Sequence, residues 1–89
     1  MNEQRKIQDY FKIRHVQKLQ PRPELETWYA GNTYFSIDYC MRRFHVFRII
    51  NGLATLILSD QHYVDASHFI EIIDKYLQDE RDIQQNKQQ

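Results

Sequence analysis

The sequence contains few of the residues that carry the most recognisable protein chemistry. It has one cysteine, Cys40, and only two glycines and two prolines among 89 residues. A lone cysteine cannot form an intramolecular disulfide, and two isolated glycines do not make a phosphate-binding loop. The sequence therefore excludes a disulfide-stapled scaffold and gives no sign of a nucleotide-binding loop.

Long apolar runs are also lacking, and the first residues do not have the pattern that predicts a leader sequence. No apolar stretch approaches the roughly 20 residues of a membrane span. Met1 is followed by the polar residues Asn-Glu-Gln-Arg-Lys rather than by the apolar segment of a signal peptide. We therefore expect a cytoplasmic protein without a membrane partner.

The composition is that of a small globular domain. Apolar residues make up 42% of the chain and aromatic residues 13%. A chain of this length buries only about 60 to 65% of its unfolded surface, so we expect one domain of modest stability over residues 1–83. The polar run from Gln84 to Gln89 predicts a disordered tail at residues 84–89.

The net charge is zero, but the charges are unevenly distributed. Residues 1–22 have six basic and two acidic side chains, whereas residues 60–82 have seven acidic and two basic ones. A basic N-terminal arm can bind a polyanion, and oppositely charged ends can attract each other within one chain or across a dimer. Ordinary solvated helix faces would give the same pattern.

Asn51-Gly52 lies between two strand-like runs and is the clearest structural signal in the chain. This pair supplies the positive φ angles of a type I′ turn, so it predicts a β-hairpin. The predicted register starts with Ile50 opposite Leu53. It continues with Ile49 opposite Ala54, Arg48 opposite Thr55, Phe47 opposite Leu56, Val46 opposite Ile57 and His45 opposite Leu58.

Further elements flank this hairpin. Residues 25–30 and 33–39 each fit a strand, and a tight turn at Met41-Arg42 would place Tyr39 beside Phe44. Residues 3–19 have an apolar spacing that favours a helix, extending either through the whole segment or only to Ile13. A second helix is predicted by an apolar stripe formed by Ala66, Phe69, Ile70, Ile73, Tyr76 and Leu77.

These elements predict an α+β fold in the order α-β-β-β-α. It has a three- to four-stranded antiparallel sheet, a long C-terminal helix packed on one face, and an N-terminal helix. The face covered by the C-terminal helix is predicted to carry Phe35, Ile37, Tyr39, Phe44, Val46, Ile50, Leu53 and Ile57.

The opposite sheet face is also too apolar to be left in water. Its candidate interface residues are Tyr34, Phe47, Ile49, Leu56 and Leu58. Three occupants can cover it: the N-terminal helix, a second copy of the chain, or a different partner. Because apolar area with little charge is typical of protein interfaces, we expect a non-catalytic interaction module that binds itself or another protein. Small bacterial or phage accessory proteins are often of this type.

Nucleic-acid binding is the alternative function. Aromatic rings can stack on bases while basic side chains contact phosphates, and the candidate residues are Arg5, Lys6, Tyr34, Arg42, Arg43 and Phe47. The strand-strand-strand-helix order of residues 34–77 resembles that of ethylene-response-type plant DNA-binding domains and phage integrase arm-binding domains. With the N-terminal helix included, the order is similar to a double-stranded-RNA-binding domain. The second helix here begins Val64-Asp65-Ala66-Ser67-His68, where that family has a lysine cluster.

Two residue patterns bear on enzyme function. His62, Asp65 and His68 recur at three-residue spacing and could bind a metal ion, although Asp65 equally fits the acidic N-cap of a helix. Cys40 and His45 are a nucleophile and a base without an identifiable third group to orient them. We therefore expect no catalytic residues, no metal and no cofactor.

Overall fold

A meander of antiparallel strands forms the centre of the molecule, and a helix stands at each end of the chain. The computed structural model describes residues 2–19 and 25–87. The strands lie in chain order, β1-β2-β3-β4-β5. The elements are α1 (Glu3–Ile13), β1 (Gln17–Lys18), β2 (Glu26–Ala30), β3 (Thr33–Asp38), β4 (Arg43–Ile50), β5 (Leu53–His62) and α2 (Ala66–Lys87).

The β4–β5 hairpin turns at Asn51 and Gly52, as predicted. Both residues have positive φ, at 53° and 80°, which is the requirement of a type I′ turn. The predicted pairs from Ile50 opposite Leu53 to Phe47 opposite Leu56 are all present. The turn therefore sets the register of this end of the sheet.

Beyond Phe47 the predicted register is wrong, because β5 is irregular there. Val46 pairs with Leu58 instead of Ile57, and Phe44 pairs with Gln61, with irregularities on either side of Val46. Such bulges insert extra residues into one strand. The bulge after Leu56 brings Leu58 opposite the buried Val46. Leu58 therefore lies on the helix side of the sheet, whereas the alternation predicted it on the opposite face.

The second irregularity lies beside His45. Its imidazole Nδ1 accepts a hydrogen bond from the backbone N–H of Asp60 at 2.9 Å. Asp60 itself has a positive φ of 52°, which is uncommon for a residue other than glycine. This side-chain contact satisfies a backbone donor at the point where the ladder is interrupted.

The register between β3 and β4 differs from the prediction by two residues. Ile37, not Tyr39, lies opposite Phe44, because residues 39–42 form the connection. Asp38 stabilises this connection by accepting a hydrogen bond from the backbone N–H of Met41 at 3.1 Å. A shift of two residues leaves every side chain on its predicted face.

The sheet has five strands rather than the three or four predicted, so the element order is α-β-β-β-β-β-α. Helix α1 ends at Ile13, and His15 at a φ of 60° reverses the chain direction. Gln17 and Lys18 then pair with Tyr29 and Trp28 as the short strand β1. A two-residue strand has too little sequence pattern to be recognised in advance.

Both helices pack on the same face of the sheet. The ring of Phe11 in α1 stacks on Trp28 with centroids 4.8 Å apart and meets Phe69 of α2 edge-on at 5.9 Å. The covering of the opposite face by α1, which was one of the three expected occupants, therefore does not occur. The buried core consists of Ile7, Phe11, Val16, Trp28, Phe35, Ile37, Phe44, Val46, Tyr63, Ala66, Phe69, Ile73 and Leu77.

Polar contacts fasten the two helices to each other. Arg14, the residue directly after α1, forms an ion pair with Asp74 of α2, and the Tyr10 hydroxyl donates a hydrogen bond to Asp74 at 2.7 Å. These hydrogen bonds from Tyr10 and Arg14 lower the pKa of Asp74. Part of the uneven charge of the two chain ends is thus used to join them within one molecule.

Side-chain hydrogen bonds are present near both ends of helix α2. Asp65 caps its start by accepting a hydrogen bond from the backbone N–H of His68 at 2.9 Å. The helix continues to Lys87, which corrects the predicted disordered tail for residues 84–87, and the Gln84 amide donates to Glu80 at 2.6 Å. Residues 88 and 89 lie outside the described part of the chain. Neither described helix contains an apolar stretch long enough to cross a membrane.

Glu80 continues the apolar stripe of α2 as a buried carboxylate, 4% exposed. It accepts a hydrogen bond from the Thr33 hydroxyl at 2.7 Å, and the Arg48 Nε in turn donates to that hydroxyl at 3.0 Å. The backbone of Gly31 passes so close that a Cβ atom there would lie 2.5 Å from Glu80 Oε2. The β2–β3 turn therefore needs glycine for space as well as for its φ of 57°.

Replacing Gly31 with alanine should lower the free energy of unfolding more than replacing Gly52 with alanine. Both changes place a non-glycine residue at positive φ, a cost of about 1–2 kcal/mol each. Only Gly31→Ala also pushes a methyl group against Glu80, since no atom lies within 4 Å of the position at Gly52. The end of the Glu80 side chain must then move, which weakens its hydrogen bond from Thr33 and costs about 1–3 kcal/mol more. Urea denaturation of the two variants measures the difference, and equal midpoints would contradict the close approach.

Candidate interaction surface

A row of side chains crosses all five strands on the sheet face opposite the helices, called here the open face. In register order it consists of Gln17, Tyr29, Tyr34, Phe47 and Leu56. The rings of Tyr29 and Tyr34 stack with centroids 5.4 Å apart, and the Tyr29 hydroxyl donates to the Gln17 amide oxygen at 2.7 Å. The centre of the open face is thus aromatic and aliphatic.

A shallow groove of about 240 Å³ lies next to this row. It is bordered by Thr27, Tyr34, Ser36, Phe47, Ile49 and Ala54. No charged side chain lines it. Because α1 and α2 both pack on the other side of the sheet, no element within residues 2–19 and 25–87 covers this groove.

The most exposed large aliphatic side chains of the sheet cluster at the free end of the β4–β5 hairpin. Ile50 is 44% exposed, Leu53 71%, Leu56 48% and Ile57 37%. Leu56 belongs to the open face, whereas Ile50 and Leu53 share the helix side with Arg48 but are not covered by α2. We call these four residues the hairpin patch. It presents apolar surface on both sides of the sheet.

The structure brings most of the predicted interface residues together. Tyr34, Phe47 and Ile49 lie side by side on the open face and are half-buried by one another, and Leu56 extends this group to β5. Leu58 does not join them, because the bulge after Leu56 turns it toward Val46 and the core.

Sequence reasoning assigned three residues of the hairpin patch to the covered face. Ile50, Leu53 and Ile57 follow the alternation of the buried positions, yet they remain exposed. The alternation reports which side of a strand a residue occupies and gives no information on how far a helix reaches along that strand. Strands β4 and β5 have eight and ten residues, whereas β3 has six. This difference in strand length is the feature that indicates a hairpin extending beyond the rest of the sheet.

The other end of the open face is polar. Asp38 lies opposite Arg43 in the β3–β4 pairing, and Arg43 donates to the Asp60 carboxylate at 2.6 Å. His45 lies between Arg43 and Phe47 along β4. The apolar part of the open face is therefore bounded by charge on one end and continues into the hairpin patch on the other.

The residues of the nucleic-acid alternative are not gathered on one surface. Arg42 contacts Glu3 of α1 at 3.1 Å, and Arg43 is paired with Asp60. Arg5 and Lys6 are exposed on α1, and hence on the helix side of the sheet, whereas Tyr34 and Phe47 lie on the open face. Arg5 and Lys6 are thus separated from the stacking rings by the thickness of the sheet, whereas Arg43 shares the open face with them but is paired with Asp60.

A larger groove lies elsewhere, where the C-terminal part of α2 passes the β2–β3 turn. Its volume is about 610 Å³, and its lining includes Ile13, His15, Leu77 and Arg81. The described residues contain no cluster of three or more metal-binding side chains. Of the three residues considered as metal ligands, two are engaged in the start of α2, since His68 Nδ1 accepts the Val64 N–H at 3.0 Å and Asp65 caps the helix.

Comparison of the chain with protein-family models, with curated proteins and with solved structures finds no match in any of the three.

One carboxylate on the helix side joins three elements. Glu26 accepts hydrogen bonds of 2.8 Å from the Trp28 indole, the Tyr39 hydroxyl and the Gln8 amide, and Lys18 lies 3.6 Å away. Burial of the carboxylate would by itself raise its pKa, but these donors together outweigh burial and hold the pKa of Glu26 below its usual value of 4.5. The ionised carboxylate is thus a structural group that ties α1 to the sheet.

Replacing Glu26 with glutamine should destabilise the protein at pH 7 by about 1–3 kcal/mol, because charged hydrogen bonds are lost. Since the folded-state pKa of Glu26 is depressed, its contribution is complete above pH 4.5 and is lost as the pH falls through the folded value. Denaturant unfolding at a series of pH values should therefore show the difference between wild type and Glu26→Gln narrowing in acid. The control is Glu71→Gln, which removes one negative charge at an exposed position. A difference that stays constant down to pH 2 would contradict this assignment.

Proposed function

We propose that this chain is a non-catalytic interaction module that forms a homodimer through the hairpin patch and the adjoining open face. The observation that carries the proposal is that both helices lie on one side of the sheet. Tyr34, Phe47 and Leu56 are left without a covering element among the described residues. Monomers rarely expose a contiguous apolar surface of this kind.

The size of the hydrophobic term supports association. Full burial of a large aliphatic side chain contributes about 1.5–3 kcal/mol. The four residues of the hairpin patch are roughly half exposed, so covering them in both copies would contribute on the order of 6–12 kcal/mol. Association itself costs about 4–15 kcal/mol. The contribution of the patch is therefore of the same size as the cost of association.

The chemistry of the surface favours a protein partner over nucleic acid. Ile49, Ala54 and Leu56 offer no donors from their side chains, and Arg43 at the border is already paired with Asp60. Nucleic-acid interfaces are strongly basic and bind phosphates through free Lys and Arg side chains. Apolar surface with a polar border is the arrangement found in protein interfaces.

Replacing Leu56 with aspartate should abolish association and leave secondary structure unchanged. A charge at the centre of the buried area cannot be solvated in the dimer, whereas Leu56 is already 48% exposed in the monomer. The matched control is Val64→Asp, which makes the same kind of change at a side chain that is 64% exposed and lies before α2. Light scattering across a concentration series gives the mass, and circular dichroism reports the fold.

Two results would overturn this proposal. One is a wild-type protein that remains monomeric at every concentration tested. The other is a dimer whose mass is unaffected by Leu56→Asp. A shift of labelled single-stranded or duplex nucleic acid at low salt that is lost in Arg42→Ala/Arg43→Ala would instead establish the nucleic-acid alternative.

A further inference from the structure

We propose that the homodimer forms by antiparallel pairing of the outer edge of β5 with the same edge of a second copy. The two sheets then join into one continuous sheet across a two-fold axis. The inference rests on the self-association proposed above and specifies its geometry.

The sheet has two edges of very different length. The strand order places β1 and β5 at the edges, and β1 contains two residues whereas β5 contains ten. An edge strand presents unpaired backbone N–H and C=O groups, which are a template for another strand. Only β5 is long enough to pair over several residues.

The first seven residues of β5 lack two of the features that usually protect an edge. Residues 53–59 include no charged side chain and no proline, and the first charge is that of Asp60. Charges, prolines and bulges are the common means by which monomers prevent edge pairing. The bulges begin after Leu56, so residues 53–56 are a regular, uncharged and unprotected edge.

The hairpin turn determines which backbone groups of this segment face outward. In a two-residue hairpin the residues next to the turn, here Ile50 and Leu53, exchange both hydrogen bonds. The alternation of an antiparallel ladder then directs Thr55 toward β4 and leaves the N–H and C=O groups of Ala54 and Leu56 pointing away from it.

One symmetric register uses all of these outward groups. Ala54 lies opposite Leu56 of the second copy, Leu56 lies opposite Ala54 of the second copy, and the two Thr55 residues meet at the two-fold axis. Identical charges near such an axis would repel each other. Along β5 the nearest charge, Asp60, is five residues from the axis and lies beyond Leu53, the first β5 residue of the second copy.

The positions of the exposed side chains favour edge pairing over stacking of two open faces. Stacked faces would cover Leu56 but would leave Leu53 in water, because it lies on the other side of the sheet. Edge pairing supplies apolar neighbours on both sides. On the open face it places Leu56 beside Ala54 of the second copy. At the end of the regular segment it places Leu53 beside Ile57 of the second copy.

Disulfide trapping tests this register. Thr55→Cys in a Cys40→Ser background puts the only two thiols of the dimer opposite each other. At a non-hydrogen-bonded pair the Cα atoms are about 4.5 Å apart, within the range of disulfides. The control is Ser59→Cys in the same background, an exposed position on the same strand. The cysteines at position 59 in the two copies would be eight residues apart along the paired strands, roughly 26 Å.

Mild oxidation should convert Thr55→Cys to a covalent dimer about 100-fold faster than Ser59→Cys. Thiols held together react at a millimolar effective concentration, whereas separate chains at roughly 10 μM meet only by diffusion. A non-reducing gel follows the reaction. In addition, the amide protons of Ala54 and Leu56 should exchange more slowly as protein concentration rises.

The outcomes separate the two proposals. If the Cys40→Ser protein is a dimer by light scattering but Thr55→Cys reacts no faster than Ser59→Cys, edge pairing in this register is wrong and self-association stands. The same holds if exchange at Ala54 and Leu56 is independent of concentration in a protein that dimerises. If the protein is a monomer throughout, both proposals fail.

Discussion

The rest of the structure depends on the contact of Phe11 with Trp28 and Phe69, which fixes α1 beside α2. The Phe11 ring is fully buried among aromatic rings from β2, β3 and α2. Aromatic pairs at these distances add to the free energy of burial. Because one face of the sheet receives both helices, its core can exclude water in a chain of only 89 residues. The same arrangement leaves the chain with no described element to place over the other face. The stability of the monomer and the exposure of its open face therefore have one cause.

Local signals predicted those parts of the fold that are decided locally. The positive φ angles at Asn51 and Gly52 and the apolar stripe of α2 are both properties of short sequence segments. The sequence left open whether α1 covers residues 3–19 or ends at Ile13, and the structure ends it at Ile13. The errors concern features that depend on distant contacts. The side of the sheet on which α1 packs is decided by Phe11, and strand β1 exists because Tyr29 and Trp28 offer it partners. The last turns of α2 are helical although their sequence is polar, with Gln84 bound to the buried Glu80.

The sheet face on which each candidate residue lies was predicted correctly where simple alternation holds and incorrectly where it does not. Tyr34, Phe47, Ile49 and Leu56 share one face because the hairpin register is regular up to Leu56. Leu58 changes sides through a bulge that no spacing in the sequence reveals, and at the next bulge His45 binds the backbone of Asp60. Ile50 and Leu53 were assigned to the right side of their strands, but the hairpin extends past the helices. Whether a residue is buried thus depends on the relative lengths of the packed elements as well as on periodicity.

The order of the strands has a consequence for how the chain folds. Each strand pairs only with its neighbour in sequence, so the sheet can grow by adding one hairpin at a time, with short loop closures at each step. The β4–β5 hairpin has the strongest turn and can form before the helices dock from opposite ends of the chain. During that interval its apolar side chains are exposed on both sides and its outer edge is unpaired. Chains that meet then can pair before they are fully folded, so the yield of native protein will fall as the concentration during refolding rises.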